Sequence, residues 1–266
     1  MQIKKYLILW KEYVRLNVAR WMEYRMDFLI GIFAMFLSNA TSIVFFWVIF
    51  QTIPEINGWS FGQLLFLTGF VTLVVGLWHA FFSGFSPWGI ERYIRNGDFD
   101  RILLKPVNPF VDIIISKIDD DGFGDLIAGM LILYVGSQLS GVSWTLANTL
   151  LLVVMVISSL LIFLSIIIFI STLSFWITRS EGLGNIIWHF MRFVEFPLEI
   201  YNPFITFILT FVLPIAFISY YPSEIFLGKG LHMNLPYLTP FIAIIFFIIS
   251  YQFWKFGLKR YASTGS

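Results

Sequence analysis

Apolar stretches of similar length recur along the chain, separated by shorter segments that hold almost all of the charge. A helix needs about 20 apolar residues to cross about 30 Å of hydrocarbon, and six stretches come close to that length. They predict helices over residues 28–50, 64–82, 123–139, 146–177, 204–221 and 237–256. The fourth is longer than a perpendicular crossing requires, which predicts tilt or emergence of its end as helix. The fifth carries Pro214 within it. Residues 109–115 are apolar but too few to cross.

The segment ahead of the first stretch has a different rhythm. Charged residues alternate there with Tyr6, Leu7, Trp10, Tyr13, Val14, Trp21 and Tyr24, and Tyr6, Trp10, Tyr13 and Asn17 fall at three- and four-residue steps. Residues 1–26 therefore predict a basic amphipathic helix lying flat on the cytoplasmic surface, with its aromatic rings at headgroup level. No small-residue cleavage site follows a short apolar core, so the segment does not read as a removed signal peptide.

Two connections carry structure of their own. Within residues 88–118, Gly89 to Asn96 reads as two helical turns stopped by Gly97. Asp98 is placed to cap a second short helix that Pro106 ends. In residues 214–236, Pro214, Pro222, Gly228 and Gly230 interrupt an apolar run. Broken helix at membrane depth is tolerated only against protein or a water-filled cavity, which predicts a bent or re-entrant element on the outer side. No internal repeat is read.

Charge sets the orientation. All but one of the 17 Lys and Arg residues fall before the first stretch, between the second and third, between the fourth and fifth, or at the end of the chain. The exception is Lys229. By the positive-inside rule both termini are expected in the cytoplasm, with an even number of crossings.

Composition removes the soluble classes. Apolar residues are 58 % of the chain and charged residues 12 %, about half the usual charged share. A net charge of +1 gives no field for nucleic acid, and the absence of cysteine removes thiolate catalysis and cysteine metal sites. There is no G-x-x-x-x-G-K-[ST], so ATP, if it drives the protein, is bound with its Mg by another chain. H-E-x-x-H and G-x-S-x-G are absent as well, and His79, His189 and His232 lie in different segments.

Asp119, Asp120, Asp121 and Asp125 are clustered, but an EF-hand register puts Lys117 at the first ligand position and Ala128 at the last. The cluster reads as a polar helix start near the positive end of the dipole, and no metal site is expected. His79 is expected to be interfacial, Asp125 to open the third helix, and the middle of the membrane to be nearly free of ionisable groups. Glu195, Glu199 and Pro214 are candidates for gating.

Three stretches together resemble the ABC-2 type permeases, in particular a branch of small six-span bacterial proteins. Ile94 to Pro109 is similar to that branch's loop, I-x-x-G-x-[LF]-D-x-x-L-L-[KR]-P. Phe196-Pro-Leu-Glu-Ile-Tyr with Leu213 to Pro222 is the second stretch, and the tail Gly257 to Gly265 is the third. The resemblance implies an all-α membrane permease domain over residues 1–266 in the bacterial inner membrane. It implies a second permease chain, identical or homologous, and two ABC ATPase subunits. It further implies that the loop 88–118 seats in the ATPase, with Glu91, Arg92, Arg95, Asp98, Asp100, Arg101 and Lys105 as contacts. The cargo expected is an amphipathic or hydrophobic drug, peptide, lipid or glycan, exported by ATP-driven movement. An intramembrane lipid-modifying enzyme, or a self-contained channel or carrier, are the alternatives.

Overall fold

The computed structural model describes residues 2–177, 181–232 and 234–263. Among these the regular structure is helical: α1 Gln2–Glu23, α2 Arg25–Thr52, α3 Phe61–Phe82, α4 Pro87–Arg95, α5 Asp98–Leu103, α6 Pro109–Ser116, α7 Asp121–Leu139, α8 Leu146–Thr172, α9 Glu181–Met191, α10 Pro203–Phe207, α11 Tyr220–Leu227 and α12 Thr239–Leu258. Five of them, α2, α3, α7, α8 and α12, are long and apolar enough to cross a membrane.

The helix starts follow from local chemistry. Ser60 accepts from the Gln63 amide while Gln63 reaches back to the Ser60 amide, a reciprocal cap that opens α3. Ser86-Pro87, Asn108-Pro109 and Asn202-Pro203 each place a capping side chain before a proline at the first helical position. That proline has no amide to leave unpaired and its φ already suits a helix. Gly97 adopts φ 75°, so the chain turns sharply between α4 and α5; Asp98 is the first residue of α5, and its side chain does not cap it.

The bundle is organised around α3 and α7, which lie antiparallel. Gly62, Gly69 and Gly76 recur every seven residues on α3, and Gly122, Gly129 and Gly136 do so on α7. Each set faces the other helix's backbone: a Cβ on Gly129 would come 2.5 Å from the Leu73 nitrogen, and one on Gly136 2.3 Å from the Phe66 nitrogen. Hydrocarbon solvent gives apolar side chains little reason to leave lipid, so small residues that let backbones approach are what hold membrane helices together. Around this pair, α2 packs on α7, α8 on α3, and α12 on α8.

The stretch expected as a fifth span, residues 204–221, is not one continuous helix. It folds back on itself at Leu213-Pro214, where Leu213 is extended (φ −116°, ψ 105°) after a π-helical turn at Ile208–Val212. Pro214 offers no amide to continue the helix and drives the residue before it out of helical geometry. The arms meet neighbours at the Ser60 end: Glu199 lies beside Trp59, and Lys229 donates to the Gly58 carbonyl. The tip, Val212 and Leu213, reaches Ile166 and Ile170 of α8, past its middle.

A preceding segment travels the length of α3 instead. Asn185 accepts from the Trp88 indole at 3.1 Å, Val194 and Glu195 sit beside Val71 and Thr72, and Glu199 meets the Trp59 indole at 3.2 Å. Residues 185–199 thus run from one end of α3 to the other. Arg192, Glu195, Pro197 and Glu199 interrupt the apolar pattern, which is why no span is legible there.

Candidate functional site

A ledge forms at the end where α3 gives way to α4. Phe99 and Ile102 of α5 are buried, and the Phe99 ring packs 4.9 Å from Tyr261, 5.4 Å from Phe175 and 6.3 Å from Trp254. Phe110 of α6 packs 4.9 Å from both Phe85 and Tyr251. Interlocked rings have few alternative packings, so α5 and α6 are fixed against the end of α12.

Polar bonds tie the ledge to both ends of the chain. Tyr261 and Ser263 donate to the Asp100 carboxylate at 2.8 and 2.6 Å. These bonds hold the Asp100 carboxyl below the usual carboxylate range, while burial and that carboxylate push Tyr261 up to about 12. Asp112, buried in α6, accepts from Lys105 at 2.7 Å and from Tyr13 of α1 at 2.7 Å. Burial and the Asp112 bond raise the Tyr13 phenol; Lys105 is opposed by burial, yet the carboxylate still raises it. Asp112 is not legible as a candidate in sequence, being the one acid in an apolar stretch too short to span.

The seven residues expected to contact a partner therefore divide. Glu91 is buried and paired with Arg95 at 3.5 Å, Asp100 holds the tail, and Lys105 is held by Asp112. Arg92, Arg95, Asp98 and Arg101 remain on the outer surface of the ledge, with Arg101 83 % exposed as a side chain. Leu104, three residues beyond Arg101, is 84 % exposed.

A second polar region lies inside the bundle, where few ionisable groups were expected. His79 and Asp125 meet at 3.2 Å across α3 and α7, and Asn39 of α2 donates to the same carboxylate at 2.8 Å. Asp125, Asn39 and Thr72 line a cavity of about 140 Å³ with Trp188, Arg192 and Glu195. Glu195 makes no hydrogen bond to the described residues. The distant residue numbers hid this grouping: α3 and α7 bring His79 to Asp125, and the irregular segment after α9 brings Glu195 alongside. An apolar cavity of about 200 Å³, between Phe36, Ile43, Leu65 and Leu131, shares Asn39 with the polar one.

His79, Asp119 and Asp121 each bring one ligand atom within 4.8 Å of the others, a donor set able to take a cation. Asp119 is already ion-paired with Lys117. Its burial favours the neutral acid, but the lysine prevails and holds the carboxyl low. Residue Arg179, counted among the basic connections, and Gly265 of the tail lie outside the described residues.

The opposite end is closed by a third polar group. Glu199 accepts from the Tyr220 hydroxyl at 2.6 Å as well as from Trp59. Glu224 accepts the His232 amide at 2.8 Å and lies 3.0 Å from its ring. Lys229 stacks 4.4 Å from the Trp59 ring. The three gating candidates thus occupy separate places: Glu195 the cavity, Glu199 this cluster, and Pro214 the fold-back tip.

Residues 36–265 match the family model described as ABC-2 family transporter protein. The chain belongs to that family. No curated protein and no solved structure is matched. An ABC-2 chain is the membrane subunit of an ABC transporter and works with an ABC ATPase. The apolar helices agree with an integral membrane protein.

Proposed function

We propose that this ABC-2 chain is the permease of an ATP-driven exporter and receives its ATPase on the ledge. The observation that carries the reading is the exposed surface of the ledge: Arg92 and Arg95 on α4, and Asp98, Arg101 and the exposed Leu104 on or beside α5, which the Phe99 ring packing fixes in place. Exposed charges with an exposed apolar side chain among them in sequence suit docking into a cleft, and a rigid seat transmits movement that a loose loop would absorb. A coupling element must contact its partner differently in two states to shift an equilibrium.

The basic bias of the connections supports a cytoplasmic ledge and cytoplasmic termini in a bacterial inner membrane. Two copies of the permease, or this chain and a homologue, would sit on two ATPase subunits. The outward position of Arg192 beside the cavity supports a protein neighbour, since a guanidinium facing lipid at that depth is costly. Cargo is an amphipathic or hydrophobic molecule; the polar and apolar cavities meeting at Asn39 support a molecule with one end of each kind. Glu195, Glu199 and Pro214 would respond as the path opens.

The test is co-purification in mild detergent with an ABC ATPase encoded nearby. Arg92→Glu/Arg101→Glu is the informative variant, because Arg95 also neutralises buried Glu91 and its loss would unsettle the fold. Capture by the wild type and loss from the folded variant support coupling through the ledge. A wild type that captures no ATPase in any detergent or lipid would sink the reading.

A further inference from the structure

Helix α1 carries three parallel rows of side chains, each generated by steps of seven and then four residues, which return to one face of a helix. The first row, Tyr6, Tyr13 and Asn17, is bonded to the ledge. The Asn108 amide donates to the Tyr6 hydroxyl at 3.1 Å, Tyr13 donates to Asp112 at 2.7 Å, and Asn17 donates to the Ser116 carbonyl at 3.4 Å. Lys5 adds a bond to the Pro106 carbonyl. The second row is apolar: Leu7, Val14 and Val18, flanked by Trp10, with Leu7, Trp10 and Val18 exposed. The third row, beyond the apolar one, is cationic and exposed: Lys4, Lys11 and Arg15. Among the described residues Arg15 alone of the three has an acidic contact, a 3.5 Å surface pair with Glu12, and such pairs contribute little.

We infer that α1 docks on the anionic face of the bilayer and that this docking stiffens the ledge. The order of the rows names the occupant. An apolar stripe with a tryptophan beside it suits the acyl boundary, and the cations along its far edge stand where lipid headgroups lie. Its near edge is already bonded to residues 106–116, so the helix bridges lipid and ledge. Three cations in a row favour a surface of net negative charge over a zwitterionic one, by about fivefold for each cation. That the stiffened ledge is the seat of an ATPase rests on the permease reading; the docking and the stiffening do not.

The experiment measures backbone hydrogen exchange in the full chain, reconstituted in nanodiscs of phosphatidylcholine alone or of phosphatidylcholine with phosphatidylglycerol. Local opening sets exchange, so docking registers directly as slower exchange. In the anionic discs, residues 4–20 and 106–116 should both slow by about tenfold, and high salt should erase the difference by screening. Lys4→Gln/Lys11→Gln/Arg15→Gln should remove the lipid dependence. Tyr13→Phe should keep it in residues 4–20 while weakening it in residues 106–116. Equal exchange of α1 in the two lipids overturns the inference, as does protection that stops at α1 in the wild type. The salt comparison needs no variant, so a misfolded triple variant leaves the outcome decided. ATPase capture is scored separately on the same discs, so a failure of the permease reading is told apart from a failure of this one.

Discussion

Gly69 lies so close to the backbone of Leu133 that a Cβ at that position would come 2.2 Å from the Leu133 nitrogen. No side chain can rotate away from such a clash, because both partners are main chain. Gly69→Ala is therefore expected to push α3 from α7 and to cost about 1–3 kcal/mol, the usual range for overpacking. Gly182→Ala, where no described atom lies within 4 Å of the added Cβ, is the control and should be neutral or slightly stabilising, as alanine favours helix over glycine. Thermal unfolding in detergent, followed by size-exclusion chromatography, separates the two; equal melting of both variants would contradict the packing argument.

The Lys105–Asp112–Tyr13 joint predicts an order of damage. Lys105→Met leaves the Asp112 carboxylate buried without its cation, a loss of about 3 kcal/mol. Tyr13→Phe keeps the ring and loses one bond to a charged acceptor, about 1.5 kcal/mol. Denaturation midpoints should rank wild type, Tyr13→Phe, then Lys105→Met. The reverse order would mean that the phenol, not the ammonium, holds Asp112.

Asp100 gives a pH dependence. Its carboxyl is held below the ordinary value by the Ser263 and Tyr261 donors, so the folded state favours the ionised form. The stabilisation is present in full above the ordinary carboxylate value and is lost as pH falls through the lowered one. Proteolysis within residues 258–263 should accelerate on acidification in the wild type. In Asp100→Asn it should start faster and change less with pH; a parallel profile in both would show that Asp100 does not hold the tail.

At the other end of the bundle, Glu199→Ala would leave the Trp59 indole and the Tyr220 hydroxyl without their acceptor. Unmet buried donors cost about 1–3 kcal/mol each. Exchange of residues 56–60 and 220–224 should rise together in this variant, with Glu199→Gln intermediate because its carbonyl still accepts. A rise confined to one of the two segments would show that Glu199 does not join them.

Much of the bundle was legible because lipid imposes a simple rule. A helix surrounded by hydrocarbon must satisfy its own backbone and be apolar for about 20 residues, so the spans of α2, α3, α7, α8 and α12 were read nearly to their ends. The turn at Gly97 and the start at Asn202-Pro203 are equally local. The broken pair was not. Residues 185–199 hide a traverse because Arg192, Glu195 and Pro197 interrupt it, and residues 204–221 imitate one because their apolar pattern does not record the fold-back at Pro214.

Sequence alone determined the class of molecule, the long helices and the charge bias, because these depend on each segment's balance between water and lipid. Tertiary structure decided which residues share a site. His79 finds Asp125 only because Gly76 and Gly122 let α3 and α7 approach. Asp112 becomes an anchor only because Tyr13 and Lys105 converge on it from different helices. Such pairings depend on distances between elements, and a linear pattern of apolar and polar residues carries the faces of each helix but not which face meets which.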